Sequence, residues 1–289
     1  MPKIKNLRLV SLMISAMVFW GLSWTNAKIL GEYAGASILM FWRFLFATIS
    51  LGIGLKYFDK SFNFKLNSIR FIISNSLFLV FYNYFYFKGT QIGSAGSGGV
   101  LVTTLNPTLT TLFSFMLGDK VLKKDCLGLC LGLISGGLIL RIWSIDFESI
   151  YQSGNLFYIL ASLSWASVTI ITFKSKNYIT YLSYSFWSFA FATILCLPLN
   201  LDTNLFSIFK YDLIFWINLL LLSLLAMSFG TSIFFLASTE LGPKKASSYI
   251  LMVPFIAMGF AMAFLGEPLQ FTTIIGGILG VFSIYIINS

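Results

Sequence analysis

The sequence predicts an all-α integral membrane protein with ten transmembrane helices, arranged as two inverted five-helix repeats covering residues 1–149 and 150–289. Three observations carry that prediction. The chain is 57% hydrophobic and only 10% charged, whereas a soluble domain carries about 25% charged residues; so few charges cannot cover a water-facing surface. Its apolar residues gather into ten runs, each near the roughly 20 residues that cross a bilayer as a helix. Finally, residues of the first half recur in the second at an almost constant offset.

The runs lie at about residues 8–29, 35–56, 70–88, 95–117, 124–142, 153–173, 179–199, 211–234, 245–265 and 269–287, with strongly apolar windows separated by short polar gaps. Backbone groups in lipid must be paired within the segment, so these runs are helices and not strands. The first follows Lys3, Lys5 and Arg8, as the core of a signal peptide would. It is long, lacks a clear cleavage site and has a counterpart later in the chain, so it reads as a retained first helix.

The net charge of +9 is explained by topology. With a cytoplasmic N-terminus, fourteen basic residues fall on the inside: Lys3, Lys5 and Arg8; Lys56, Lys60, Lys65 and Arg70; Lys120, Lys123 and Lys124; Lys174 and Lys176; Lys244 and Lys245. Four fall outside, namely Lys28, Lys88, Arg141 and Lys210, and Arg43 lies within a span. This bias places both termini in the cytoplasm and leaves no need for a nucleic-acid partner. Cys126, Cys130 and Cys196 all lie in apolar runs and imply no disulfide framework. The chain has no histidine, which removes the commonest general base and metal ligand. No metal or cofactor is expected.

The recurrence begins with Trp20 and Trp165. Phe41-Trp42 matches Phe186-Trp187, and Phe46-Ala47-Thr48-Ile49 matches Phe191-Ala192-Thr193-Ile194, all at an offset of 145. Pro107 and Pro254 differ by 147, and the helix-end acids Asp119 and Glu267 by 148. Each acid follows a glycine (Gly118, Gly266), and each is followed nine residues later by another (Gly128, Gly276). Five helices per copy is an odd number, so the second copy inserts upside down. Inverted repeats are a common plan of secondary transporters, with the solute bound near mid-membrane between the copies.

These residues resemble the drug/metabolite transporter superfamily, specifically its EamA branch. The shared features are an apolar helix with a central proline, Gly-acid at its end, then a glycine-rich helix. They occur here as Pro107, Gly118-Asp119, Gly128 and Gly132, and again as Pro254, Gly266-Glu267, Gly276 and Gly280. Arg43-Phe44 in the second helix is also similar to the branch. The chain departs from it with Asp119 where glutamate is usual, and with Ser188 where an arginine would complete the symmetry. The resemblance covers essentially the whole chain. It implies a carrier of small metabolites in a bacterial-type inner (plasma) membrane, with a cavity lined by helices 1, 3, 4, 6, 8 and 9.

Candidate residues follow helix by helix. In helix 1, Trp20 and Trp24 are spaced to stack around Ser23; with Trp165 they form aromatic walls suited to an organic solute. In helix 3, Asn75 and Tyr82 share a face with Tyr86, and Asn83 is adjacent; the alternative for Tyr86 is an interfacial aromatic belt. In helix 4, Thr103, Asn106 and Thr110 share a face. Asn106 either lines the cavity or joins helices, a bond worth about 0.6–2 kcal/mol. Pro107 frees the carbonyl of Thr103 and Pro254 that of Ile250, making both hinge candidates, with Tyr249 and Met252 beside the latter. Arg43, roughly 12 Å into its helix, either ties helices together or binds an anionic group. The glycines of helices 5 and 10 allow close contact, within the monomer or across a homodimer.

No acid falls in mid-span, which disfavours a buried-carboxylate proton relay. The reading is a secondary carrier working by alternating access on an amino acid or related small metabolite, exported. The alternative within transport is a vitamin or nucleoside importer. An integral-membrane enzyme or a non-transporting scaffold are readings from other classes, the first disfavoured by the lack of a catalytic cluster and the second by the paired prolines.

Overall fold

The computed structural model describes residues 2–57, 62–140, 142–144, 154–266 and 271–288. Among these residues there is no strand. We label the long helical segments α1 (Pro2–Gly31), α2 (Ala36–Tyr57), α3 (Ile69–Ile92), α4 (Ala95–Met116), α5 (Lys123–Leu140), α6 (Asn155–Ser175), α7 (Tyr181–Cys196), α8 (Leu213–Leu241), α9 (Pro243–Leu265) and α10 (Phe271–Asn288). They follow the apolar runs closely. The main differences are in the second half, where α8 continues seven residues past the expected end at 234 and α9 starts at Pro243. Pro243 needs no N–H at the start of a helix, so it opens the segment without cost. Glu267, Arg141 and Lys60 lie outside the described residues.

Local chemistry sets the ends. Ser94 Oγ accepts from Ser97 N–H at 3.1 Å, and Asp212 Oδ1 from Phe215 N–H at 3.0 Å, capping α4 and α8. At the other ends, Gly118 (φ +95°) and Gly266 (φ +69°) take the left-handed conformation that a side chain resists. The glycine of each Gly-acid pair is thus a helix stop.

Five segments are long and apolar enough to cross a membrane by length and composition: residues 7–31 of α1, α2, α6, α8 and α9. Those that fall short have identifiable reasons. α3 and α4 carry many polar residues on their buried faces, including Asn75, Asn83, Thr103, Asn106 and Thr110. α7 is only 16 residues long.

The helices pack in a regular scheme. α2 pairs with α7, α4 with α9 and α5 with α10. The α3–α6 pairing has a counterpart in α8–α1, α4–α6 in α9–α1, and α3–α7 in α8–α2. The ends expected on one side lie together. Tyr33 Oη donates to the Asp212 carboxylate at 3.0 Å on one side; Lys244 Nζ meets Asp125 Oδ2 at 2.9 Å on the other.

The glycines of α5 and α10 face each other within the one chain. A Cβ on Gly128 would run into the Ile287 side chain of α10, and one on Gly280 would lie 3.1 Å from Ser135 Oγ of α5. The close approach serves a reciprocal pair of bonds. Ser135 Oγ donates to the Gly276 carbonyl, and Ser283 Oγ to the Gly128 carbonyl.

Candidate functional site

A cavity lies at the meeting of seven helices. α1 contributes Trp20, Ser23 and Trp24, and α4 contributes Val102, Thr103 and Asn106. Tyr82 comes from α3, Trp165 from α6 and Arg43 from α2. The remaining wall is Met227 and Thr231 of α8 with Ile250 and Val253 of α9. Helices 1, 3, 4, 6, 8 and 9 therefore do meet here, joined by α2 through Arg43. The volume open to a water molecule is about 20 Å3, room for about one water, so the walls stand close together.

Aromatic rings form one side. Trp20 packs edge-on against Trp165 at 5.0 Å and 89°, and Tyr82 lies 4.7 Å from the Trp165 ring. Trp24 turns away to Tyr86, 4.6 Å distant, and Tyr158. The spacing that would stack Trp20 on Trp24 instead sends each to a different partner helix. Trp20 also donates its indole N–H to the Ala226 carbonyl at 2.9 Å. Ala226 sits in a π-helical stretch of α8, Leu221–Thr231, and its carbonyl also accepts from Thr231 Oγ1 at 3.4 Å. Gly230 leaves the room: a Cβ there would sit 2.9 Å from the indole nitrogen.

Arg43 is the charged group of the site and is 4% exposed. Its Nη1 donates to Asn83 Oδ1 at 2.8 Å, and its guanidinium lies 5.2 Å from the centre of the Tyr86 ring. Its Nε has no hydrogen-bond partner. Asn83, fully buried, donates in turn to the Leu79 carbonyl. Tyr86 donates to the Ser23 carbonyl at 2.6 Å, so it is a helix-joining residue of the interior. The buried indole N–H of Trp165 is also unpartnered.

The other expected residues divide clearly. Asn106 is buried, with a long bond of 3.4 Å to the Ser162 carbonyl, so it both lines the cavity and reaches another helix. Thr103 bonds back to the Gly99 carbonyl. Asn75 lies away from the cavity and donates to Ser188 Oγ at 3.0 Å. Tyr249 and Met252 are half-buried in a 3-10 turn outside the lining. That turn interrupts α9 just before Pro254, and the Ile250 carbonyl accepts from Val253 N–H. Pro107, by contrast, sits in an unbroken α4. Asp119 is exposed, with no side-chain bond among the described residues; the acid that pairs at this end is Asp125.

The repeat offset accounts for the lining that the residue types hid. Tyr82 and Met227 differ by 145, like Trp20 and Trp165; Thr103 and Ile250 differ by 147, as do Asn106 and Val253. Equivalent positions thus face one cavity, polar in the first half and apolar in the second. Adding the offset to each polar candidate would have found Met227, Ile250 and Val253.

Residues 7–141 and again 152–289 match the EamA-like transporter family. The chain belongs to that family. Among curated EamA-like relatives, it is 23% identical over 283 residues to the uncharacterized transporter YyaM of Bacillus subtilis, covering 95% of this chain and 92% of that one. It is 24% identical over 219 residues to the chloroplastic WAT1-related protein At3g02690 of Arabidopsis thaliana, covering 71% and 51%. A solved crystal structure shares the fold with a TM-score of 0.74 at 16% identity, with 96% of each chain covered. Family membership and the apolar helices make this a multi-pass membrane protein, and point to a transporter of small molecules rather than an enzyme.

Proposed function

We propose that this EamA-like protein is a secondary carrier that moves a small organic metabolite, of the size of an amino acid, by alternating access. Its ten helices all cross a bacterial-type inner membrane, as two oppositely inserted halves that rock about the central cavity. The observation that carries this is the meeting of equivalent residues from both halves, Trp20 with Trp165 and Asn106 with Val253, around one cavity. A site built from both of two related halves is the arrangement alternating access requires. The polar residues that lower the hydropathy of α3 and α4 face protein, as polar groups within a membrane do. Cytoplasmic termini are supported by the basic-residue bias and by the grouping of the expected same-side ends.

The direct test is reconstitution of the full chain into liposomes with a panel of labelled metabolites. Saturable flux that is lost in Trp20→Ala is the expected result. Absence of saturable flux for every solute, together with turnover of a lipid, would overturn the carrier reading. Single-cysteine labelling at residues 120–124 tests the topology: modification only from the cytoplasmic side is expected, and modification only from outside refutes it.

A further inference from the structure

The charges and donors around the cavity define what it is built to hold, if the carrier reading above is taken as the basis. The guanidinium of Arg43 is buried, its one hydrogen bond goes to the neutral side chain of Asn83, and its Nε is unpartnered. Among the described residues, no acid lines the cavity. A second donor, the Trp165 indole N–H, is also buried without an acceptor. Tyr82 lies between them, against the Trp165 ring at 4.7 Å and against Tyr86 at 5.8 Å, the ring beneath Arg43. Among the described residues the cavity therefore has one uncompensated positive charge, surplus donors and no fixed negative charge. The wall from α8 and α9 is mostly apolar, with Met227, Ile250 and Val253 beside the single hydroxyl of Thr231.

We propose that the occupant is an organic carboxylate with an apolar or aromatic tail and no ammonium group, its carboxylate seated on Arg43 and its tail against the wall of Met227, Ile250 and Val253. Charge-assisted bonds from a guanidinium to a carboxylate are short, strong and geometrically specific. An ammonium group would enter a site that already carries a positive charge and offers no acid. The cavity thus selects a net anion over a zwitterion of the same shape. The occupant also supplies the acceptors that Arg43 Nε and Trp165 lack, which favours binding over an empty, desolvated site.

The test uses the purified full chain and four probes of one shape: 3-phenylpropionate, 3-phenylpropan-1-ol, phenethylamine and phenylalanine. Thermal-shift titration is expected to show 3-phenylpropionate binding at least about tenfold more tightly than the other three. Arg43→Gln is expected to remove that preference and Arg43→Lys to retain part of it. Should Arg43→Gln fail to fold, Trp165→Phe keeps the ring, removes the N–H and is expected to weaken the carboxylate alone. Equal or tighter binding of phenylalanine or phenethylamine, no binding of the carboxylate, or a preference unchanged in these variants would overturn the proposal. Liposome flux separates the two readings. Arg43-dependent binding without saturable flux sinks the carrier and leaves the carboxylate site. Saturable flux of a zwitterion that is indifferent to Arg43 leaves the carrier and sinks the site.

Discussion

Arg43 shows how one buried charge organises its surroundings. Insertion of such a charge at the centre of a membrane helix costs about 2.5–3.5 kcal/mol, and the protein answers with a single neutral acceptor, Asn83, and the faces of Tyr86 and Phe87. Hydrogen bonds to charged groups are worth about 1.5–3 kcal/mol, so Asn83→Ala is expected to lower stability by that amount in denaturation of the solubilised protein. Asn83→Asp places an acid at the same spot. It is expected to keep the fold and to abolish carboxylate binding, since the guanidinium then has its own counter-ion; unaltered binding would show that the charge of Arg43 does not reach the occupant. Gly99 marks a different constraint, close approach. A Cβ there would meet that of Ala257 at 2.7 Å, so the chain has no room for alanine where α4 crosses α9.

Helices α8 and α9 carry the departures from regular structure, and both departures sit at the cavity. The π-helical stretch Leu221–Thr231 presents Met227 and Thr231, while the 3-10 turn Tyr249–Met252 presents Ile250 just ahead of Pro254. Repeat-equivalent prolines therefore have unequal effects, with α4 unbroken around Pro107. Pro254→Ala is expected to let regular helix extend through the turn and to slow flux, and Pro107→Ala to slow it less; equal rates for the two variants would remove the hinge role from α9. Along the α5–α10 seam, Ser135 and Ser283 each donate to a glycine carbonyl of the partner helix. Each serine-to-alanine change is expected to cost about 0.6–2 kcal/mol, read from the unfolding midpoint.

Across the whole molecule the two ends of the helix bundle are held by different chemistry. Toward the α3–α4 turn the contact is packing: Gly89 and Gly98 both make space for the Tyr158 ring, whose hydroxyl donates to the Ser94 carbonyl at 3.0 Å. Toward the α4–α5 turn it includes an ion pair. Lys244 bonds Asp125 and the Lys120 carbonyl, and Asp125 also accepts from Leu122 N–H. Partly exposed ion pairs contribute only about 0–1 kcal/mol, so this end is the easier one to open. Asp125→Asn is expected to raise the labelling rate of a cysteine placed at Ile250 from that side, with no change from the other. An equal rise from both sides would mean that the substitution loosens the whole bundle.

How much of this was legible beforehand depended on the kind of force involved. The helical character of the chain was written in the apolar runs, because lipid leaves a backbone no partner but itself. The duplication was visible as an offset, and with it came Trp20, Trp165, Thr103 and Asn106 at the cavity. Polar spacing could not separate Asn75 from Tyr82, since a buried amide serves a neighbouring helix as well as a solute; Ser188, 113 residues away, took the amide of Asn75. Met227, Ile250 and Val253 were hidden for the opposite reason, as apolar side chains look alike whether they face lipid or a cavity. The sequence by itself determined which segments are helices and which residues correspond between halves, because both follow from local pattern. Only the tertiary structure decided what those residues face, and that Arg43 stands in the cavity with no counter-charge among the described residues, because that depends on partners far apart along the chain.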